Sequence, residues 1–128
     1  MIVAGVGCRR GAPATAIAAV IEAAFARAGL AGTLLDAIAA PATKADEGGL
    51  AQAASALGVR LVLLSREELE AAGRHAVTVS ERVVALMGMP SVAEAAALAA
   101  AGPAARLVLP RIVLGPATCA IAETGGAA

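Results

Sequence analysis

The chain has no tryptophan and no tyrosine, and Phe25 is its single aromatic residue. It therefore lacks the stacking platforms on which single-stranded nucleic acids and sugars are commonly held. An excess of charge is missing too: 10 Lys+Arg face 10 Asp+Glu over 128 residues, so nothing draws the protein to nucleic acid or to an anionic membrane. One histidine, His75, and two cysteines without CxxC spacing, Cys8 and Cys119, do not make a structural zinc site. No metal and no other cofactor is expected, and both cysteines should be reduced thiols. Charge-free runs such as Gly11 to Ile21 and Val83 to Ala93 fall well short of the roughly 18 residues of a membrane-spanning helix. The apolar residues at the start precede Arg9 and Arg10, the reverse of a secretory signal, so a cytoplasmic protein is the expectation.

What is abundant is alanine. Of a composition that is 59% hydrophobic, with mean hydropathy +0.81, about half is contributed by 38 alanines. Alanine buries little area but favours helix strongly, so the hydropathy signals closely packed helices in one compact domain.

The pattern along the chain alternates between strand and helix. Met1 to Gly7 is a short β-branched run ended by glycines, which predicts a buried strand entering the loop Gly7-Cys8-Arg9-Arg10-Gly11. Pro13 suits a first helical turn, and apolar bulk at Ile17, Val20, Ile21, Ala24, Phe25 and Ala28 predicts a helix over 14–28 that stops at Gly29. Residues 33–40 suggest one helical turn and a short strand around Ile38, closed by Pro41. Asp46 and Glu47 place negative charge where a helix N-terminus favours it, with the helix reaching Leu57 and capped by Gly58. Val59 to Leu64 reads as a second strand, and Ser65-Arg-Glu-Glu68 has the form of a capping box opening a helix that ends near Gly73. Residues 78–87 read as a loop and a short helix. A second capping box, Ser91-Val-Ala-Glu94, opens an alanine-rich helix to Ala101, broken by Gly102-Pro103, whose small residues imply close approach to a neighbour. Arg106 to Leu109, extended by Arg111 to Leu114, and Ala117 to Glu123 read as strands, with turns at Pro110 and at Gly115-Pro116. The sum is an α/β fold: a single three-layer α/β/α domain with a mainly parallel, mixed sheet whose last strands form an antiparallel edge.

In such sheets ligands bind beyond the carboxyl ends of the strands, where the Gly7 to Gly11 loop falls. Its glycines allow backbone N–H groups to approach an anion, and Arg9 and Arg10 are each able to hold a carboxylate or phosphate bidentately. The plainer reading is a tight strand-to-helix turn with solvated arginines. Its G-x-G-x-x-x-G spacing departs from the dinucleotide fingerprint, so nucleotide binding is a weak match even with Asp36 downstream. Lys44, Asp46 and Glu47 group a cation and two carboxylates in one loop, as an active-site rim or merely as helix-end charges. Glu94 has a capping role available, and Cys8, beside two arginines and a helix N-terminus, is expected to have a lowered pKa. No histidine adjoins it as a base, and Thr118 and Cys119 read as packing or rim residues.

The motifs taken together are familiar. Gly5-x-Gly7-Cys8-Arg9-x-Gly11, Lys44-x-Asp46-Glu47-x-Gly49-Leu50, Ser65-x-Glu67-Glu68-Leu69, Gly88-x-Pro90-Ser91-Val92-x-Glu94-Ala95-Ala96-Ala97-Leu98 and Thr118-x-Ala120-Ile121-Ala122 occur in this order. They resemble the CobE family, which is similar to the C-terminal domain of CbiG, from cobalamin biosynthesis. The resemblance covers essentially the whole chain. It implies an α/β/α domain and a role in building the corrin ring of vitamin B12. CbiG proteins open a lactone of cobalt-precorrin-5A and release acetaldehyde, but their chains are longer, and the resemblance here is to the C-terminal part alone. Where CbiG-like sequences end a strand with Pro-Lys, this chain has Pro110-Arg111, which keeps the charge and changes the hydrogen-bonding shape.

Corrinoid intermediates carry many acetate and propionate arms, so a neutral protein that binds them needs local cations, and Arg9, Arg10, Lys44 and Arg111 read as loop or strand-end residues. The expected pocket joins Gly7, Cys8, Arg9, Arg10 and Gly11 with Lys44, Asp46 and Glu47, and with Ser91 and Glu94 of the Gly88 to Glu94 turn; Arg111 and Thr118 complete the candidate set. The first expectation is a protein that binds a precorrin or hydrogenobyrinic acid intermediate of the aerobic route. The alternative is an enzyme, such as a CbiG-like precorrin-5A lactone hydrolase, with Glu47 or Glu94 as acid/base and Lys44 or Arg9 at an oxyanion. The corrinoid is the expected partner, with other enzymes of the pathway as candidate protein partners.

Overall fold

The computed structural model describes residues 1–73 and 92–124. Five strands, β1 (Ile2–Cys8), β2 (Ala37–Pro41), β3 (Arg60–Leu64), β4 (Ala105–Leu114) and β5 (Ala117–Thr124), form one sheet in the order β3-β2-β1-β5-β4. The β1–β2 and β2–β3 ladders are parallel, while β5 runs antiparallel to both β1 and β4. The sheet is thus mixed, with β5 the one reversed strand.

Helices α1 (Ala14–Arg27) and α2 (Gly48–Leu57) cover one face, and α3 (Arg66–Gly73) and α4 (Val92–Ala101) the other. The right-handed rule for parallel crossovers accounts for this division. The β1-α1-β2 and β2-α2-β3 connections step along the sheet one way and stack on one face; the return from β3 to β4 steps the other way and lands opposite. Strand alternation follows the same logic. Ala4, Val6, Ile38, Ala40, Cys119 and Ile121 pack with Ile17, Val20, Phe25 and Leu50, whereas Val3, Ala37, Ala39 and Ala122 pack with Leu64, Leu69 and the alanines of α4.

Close approach is the reason for the alanines of α4. Ala93 and residues 95–97 are buried, and the helix backbone lies directly on Gly5 of β1. A Cβ at Gly5 would stand 2.7 Å from the Ala97 nitrogen and 2.9 Å from its Cβ, and closer still to the Ala93 carbonyl oxygen.

Several expectations need correcting. No helical turn precedes β2; residues 33–36 are irregular, and Asp36 instead ties the chain to β1 by accepting the Ile2 N–H at 2.7 Å. Asp46 and Glu47 do lie at the N-terminus of α2, with Glu47 as its N-cap residue and Gly48 as its first, but the Glu47 side chain makes no capping hydrogen bond. Pro110 makes no turn: β4 runs through it, with register irregularities on either side between Leu107 and Ile112. An edge strand tolerates a residue without an N–H, and the irregularity absorbs it. Arg111 therefore sits within β4 rather than at a strand end. The first capping box forms as expected, with the Ser65 N–H donating to Glu68 (2.9 Å) and the Glu68 N–H to the Ser65 hydroxyl (3.1 Å). The expected loop and helix at 78–87, and Ser91, lie outside the described residues.

Candidate functional site

The carboxyl ends of β1, β2 and β3 come together at one edge of the molecule. The loops leaving β1 and β2 turn toward the α1 and α2 face, and the loop leaving β3 toward α3. A crevice opens where successive connections part in this way. Here it is a cleft of about 420 Å³ lined by Gly7 and Cys8 of β1, Pro41 at the end of β2 and residues 42–44 after it, Leu64 at the end of β3, Arg66 at the start of α3, and Val92 at the start of α4.

Because β5 runs antiparallel to β1, its first residues lie at this same end, with Ala117 opposite Cys8 and Thr118 opposite Gly7. They create a second groove of about 280 Å³ lined by Gly7, Cys8, Arg9, Val113, Thr118 and the Gly115-Pro116 turn. The Arg9 N–H donates to the Pro116 carbonyl at 2.9 Å, and the Thr118 hydroxyl donates to the Gly7 carbonyl at 3.4 Å. Gly7 and Cys8 are the floor common to both spaces.

The loop after β1 and the loop after β2 are locked to one another. Gly11, in the left-handed region at φ 79, donates its N–H to the Glu47 carboxylate at 2.9 Å. Gly49, at the start of α2, lies so close to the Ala12 carbonyl that no Cβ fits between them. Glu47 is therefore engaged in holding the wall of the cleft. Lys44, in the short turn Ala42–Lys44, is partly buried beside the cleft and makes no ion pair with any described residue. Arg66 is paired with Glu70 on the exposed surface of α3.

Cys8 departs from expectation. Burial pushes its thiol pKa up, with nearby Glu47 acting in the same direction and Lys44 opposing. Desolvation of the thiolate outweighs the helix end and the arginines because Arg9 and Arg10 extend into solvent. Buried Cys119 is pushed up further, to about 12, by desolvation alone.

The structure thus brings Gly7, Cys8 and Lys44 to one cleft, with Arg9 and Thr118 in the groove beside it. Arg10, Asp46 and Arg111 line neither space, and Gly11 and Glu47 stand behind the wall as its tie. Glu94 is fully buried, and its carboxylate accepts the Arg111 N–H at 3.0 Å, joining the first turn of α4 to the irregularity in β4. Thr43, Leu64 and Arg66 escaped sequence reasoning, although Leu64 and Arg66 carried one signal, the end of a strand followed by a capping box. Val92 belongs to the expected Gly88 to Glu94 segment, and the packing of α4 across the sheet brings it to the cleft. Among the described residues no cluster of metal-ligating side chains occurs, and no helix is long and apolar enough to cross a membrane.

Residues 2–122 match the family described as Cobalamin synthesis G C-terminus. The chain is 37% identical over 121 residues to Protein CobE of a Sinorhizobium species, covering 94% of this chain and 79% of that one. It is similar to the crystal structure of cobalamin biosynthesis protein chiG from Agrobacterium tumefaciens, with 46% identity, TM-score 0.78 and coverage of 98% and 99% of the two chains. It also resembles the crystal structure of CobE, a protein from the cobalamin (vitamin B12) biosynthetic pathway, with 34% identity and TM-score 0.85 over 95% of this chain and 89% of that one. By fold, family and near-complete coverage, this chain belongs to the CobE and CbiG C-terminal family of cobalamin biosynthesis proteins.

Proposed function

We propose that the protein binds a corrin-ring intermediate of cobalamin synthesis across the carboxyl edge of its sheet and hands it on without chemistry of its own. The observation that carries this reading is the cleft of about 420 Å³ whose apolar wall, Pro41, Leu64 and Val92, is bordered by Lys44 and Arg66. Its volume falls within the range of small-molecule sites. Aliphatic wall suits a macrocycle, and cations suit its acid arms. The adjoining groove shares Gly7 and Cys8 with the cleft and adds Arg9, so a broad ligand lying over that floor reaches both spaces.

A carrier is favoured over a catalyst by the state of the reactive groups. The Cys8 thiol is raised rather than activated, Glu47 is engaged with Gly11, and Glu94 is buried against Arg111. A visible-absorbance titration with a series of precorrin and corrin acids tests the reading. Stoichiometric binding without spectral conversion, weakened in Arg9→Ala and Lys44→Ala, is the expected result. Slow conversion would make the protein an enzyme, and unchanged affinity in both variants would place the ligand elsewhere.

A further inference from the structure

An open sheet has two edges, and this chain treats them differently. On β4, Pro110 withholds an N–H, the register against β5 is broken twice between Leu107 and Ile112, and Arg106 and Arg111 add charge. These are the devices that keep an edge strand from pairing with another chain. The interior of β3 has none of them. Its register against β2 runs unbroken from Arg60 to Leu64, it holds no proline or glycine, and its one charge stands at the first residue. Among the described residues no strand lies on its outer side. Leu61 and Val62 are half-buried there and Leu63 is 39% exposed, so this edge is apolar as well as open.

We propose that β3 is an interface between two copies of this chain, in which a second copy adds its own β3 antiparallel across a two-fold axis at Val62 and the two sheets become one. The register that pairs the whole strand sets Val62 against itself, Leu61 against Leu63 of the second copy, and Arg60 against Leu64 of the second copy; directly opposed residues project to the same face. Charge complementarity favours this occupant. Arg60 shares its face with Val62 and Leu64, which pack toward α3 and α4. Among the described residues its guanidinium finds only the Met1 Sδ, at 3.5 Å. Glu67, exposed in the first turn of α3, forms no ion pair with a described residue. Within one copy these two residues stand at opposite ends of β3. The two-fold axis brings Arg60 of each copy beside the chain end that leads through Ser65 into the other copy's α3, so the unpaired cation and the unpaired acid meet twice on that face. The two Arg60 side chains stay at opposite ends of the paired strands, and no like charges are opposed. Such an isologous contact uses both open edges and closes, whereas β3 added to β4 would run on from copy to copy into a fibre, which the irregular β4 edge opposes.

The test is the mass of the full chain in solution, by sedimentation equilibrium at low salt from about 1 μM to about 1 mM. The proteins are the parent, Leu63→Lys, Arg60→Glu, Glu67→Arg and the double reversal, each checked by thermal melting at the dilute end. The parent is expected to approach twice the 12.3 kDa chain mass and go no further. Leu63→Lys sets an ammonium against Leu61 of the second copy at a position already open to solvent, and should stay a single chain throughout with its melt close to the parent's. Each single reversal should weaken the dimer by about 10-fold, and the double reversal should restore it. A parent that remains a single chain at every concentration would overturn the proposal and leave the edge to an extended segment of another protein; growth beyond the dimer would overturn it as well. A dimer that survives Leu63→Lys would overturn it by placing the contact on another surface, and single reversals that fail to rescue one another would overturn the two-fold register at Val62.

Discussion

Replacing Gly5 by alanine is the sharpest test of how the two layers meet. The added Cβ would meet the Ala93 carbonyl, the Ala97 nitrogen at 2.7 Å and the Ala97 Cβ at 2.9 Å. None of these atoms is able to rotate aside, because all belong to backbone or to a Cβ, so relief requires α4 to lift from β1. Lifting by 0.5–1 Å forfeits about a quarter to a half of each contact well across the seam. That seam includes Val3, Ala37, Ala39 and Ala122 beneath the helix, all fully buried. We therefore expect a cost at the upper end of overpacking, about 3 kcal/mol. At a urea slope of about 1.5 kcal/mol/M this lowers the unfolding midpoint by about 2 M with the slope unchanged. Gly48 supplies the control, since it opens α2 with no atom within 4 Å of an added Cβ and without a positive φ. Gly48→Ala should raise stability by about 0.4–1 kcal/mol through the unfolded chain. A Gly5→Ala variant within 0.5 kcal/mol of the parent would refute the seating of helix on bare strand backbone.

Glu94→Ala should cost about 3 kcal/mol by equilibrium denaturation, because it strands the partly buried Arg111 backbone N–H and leaves a void where the fully buried Glu94 side chain stood; a loss below about 1 kcal/mol would show that the tie to β4 is dispensable. Both thiols have pKa values raised on folding, so the folded state favours their neutral form. Their contribution to stability is complete below the ordinary thiol value near 9 and is lost as pH rises, for Cys119 between about 9 and about 12. A denaturation series across that interval checks the sign, and a stability that rises there would contradict it. In the native protein at neutral pH, alkylation should be slow at Cys8 and slower at Cys119, which is fully buried; mass spectrometry of partially labelled protein reads the order directly.

Much of this protein was legible in the chain itself. Local chemistry determined β1, α1, β3, the Ser65–Glu68 capping box and the Gly58 stop, where φ is 70, because periodicity, caps and turns act between residues a few positions apart. The alternation of strand and helix also determined the layered architecture, and the motif order pointed to the family. Pro110 was misread because a proline breaks a central strand but is accommodated in an edge strand, and edge position is a property of the sheet. Cys8 was misread because neighbouring arginines are visible in sequence while burial is not. Only the tertiary structure decided that Glu47 ties two loops together across 36 positions, that the Glu94 carboxylate accepts the Arg111 N–H of β4, and that Leu64, Arg66 and Val92 meet Lys44 around one cleft. These are relations between segments distant in the chain, fixed by strand order and crossover hand, and a residue's spacing from its sequence neighbours carries no information about them.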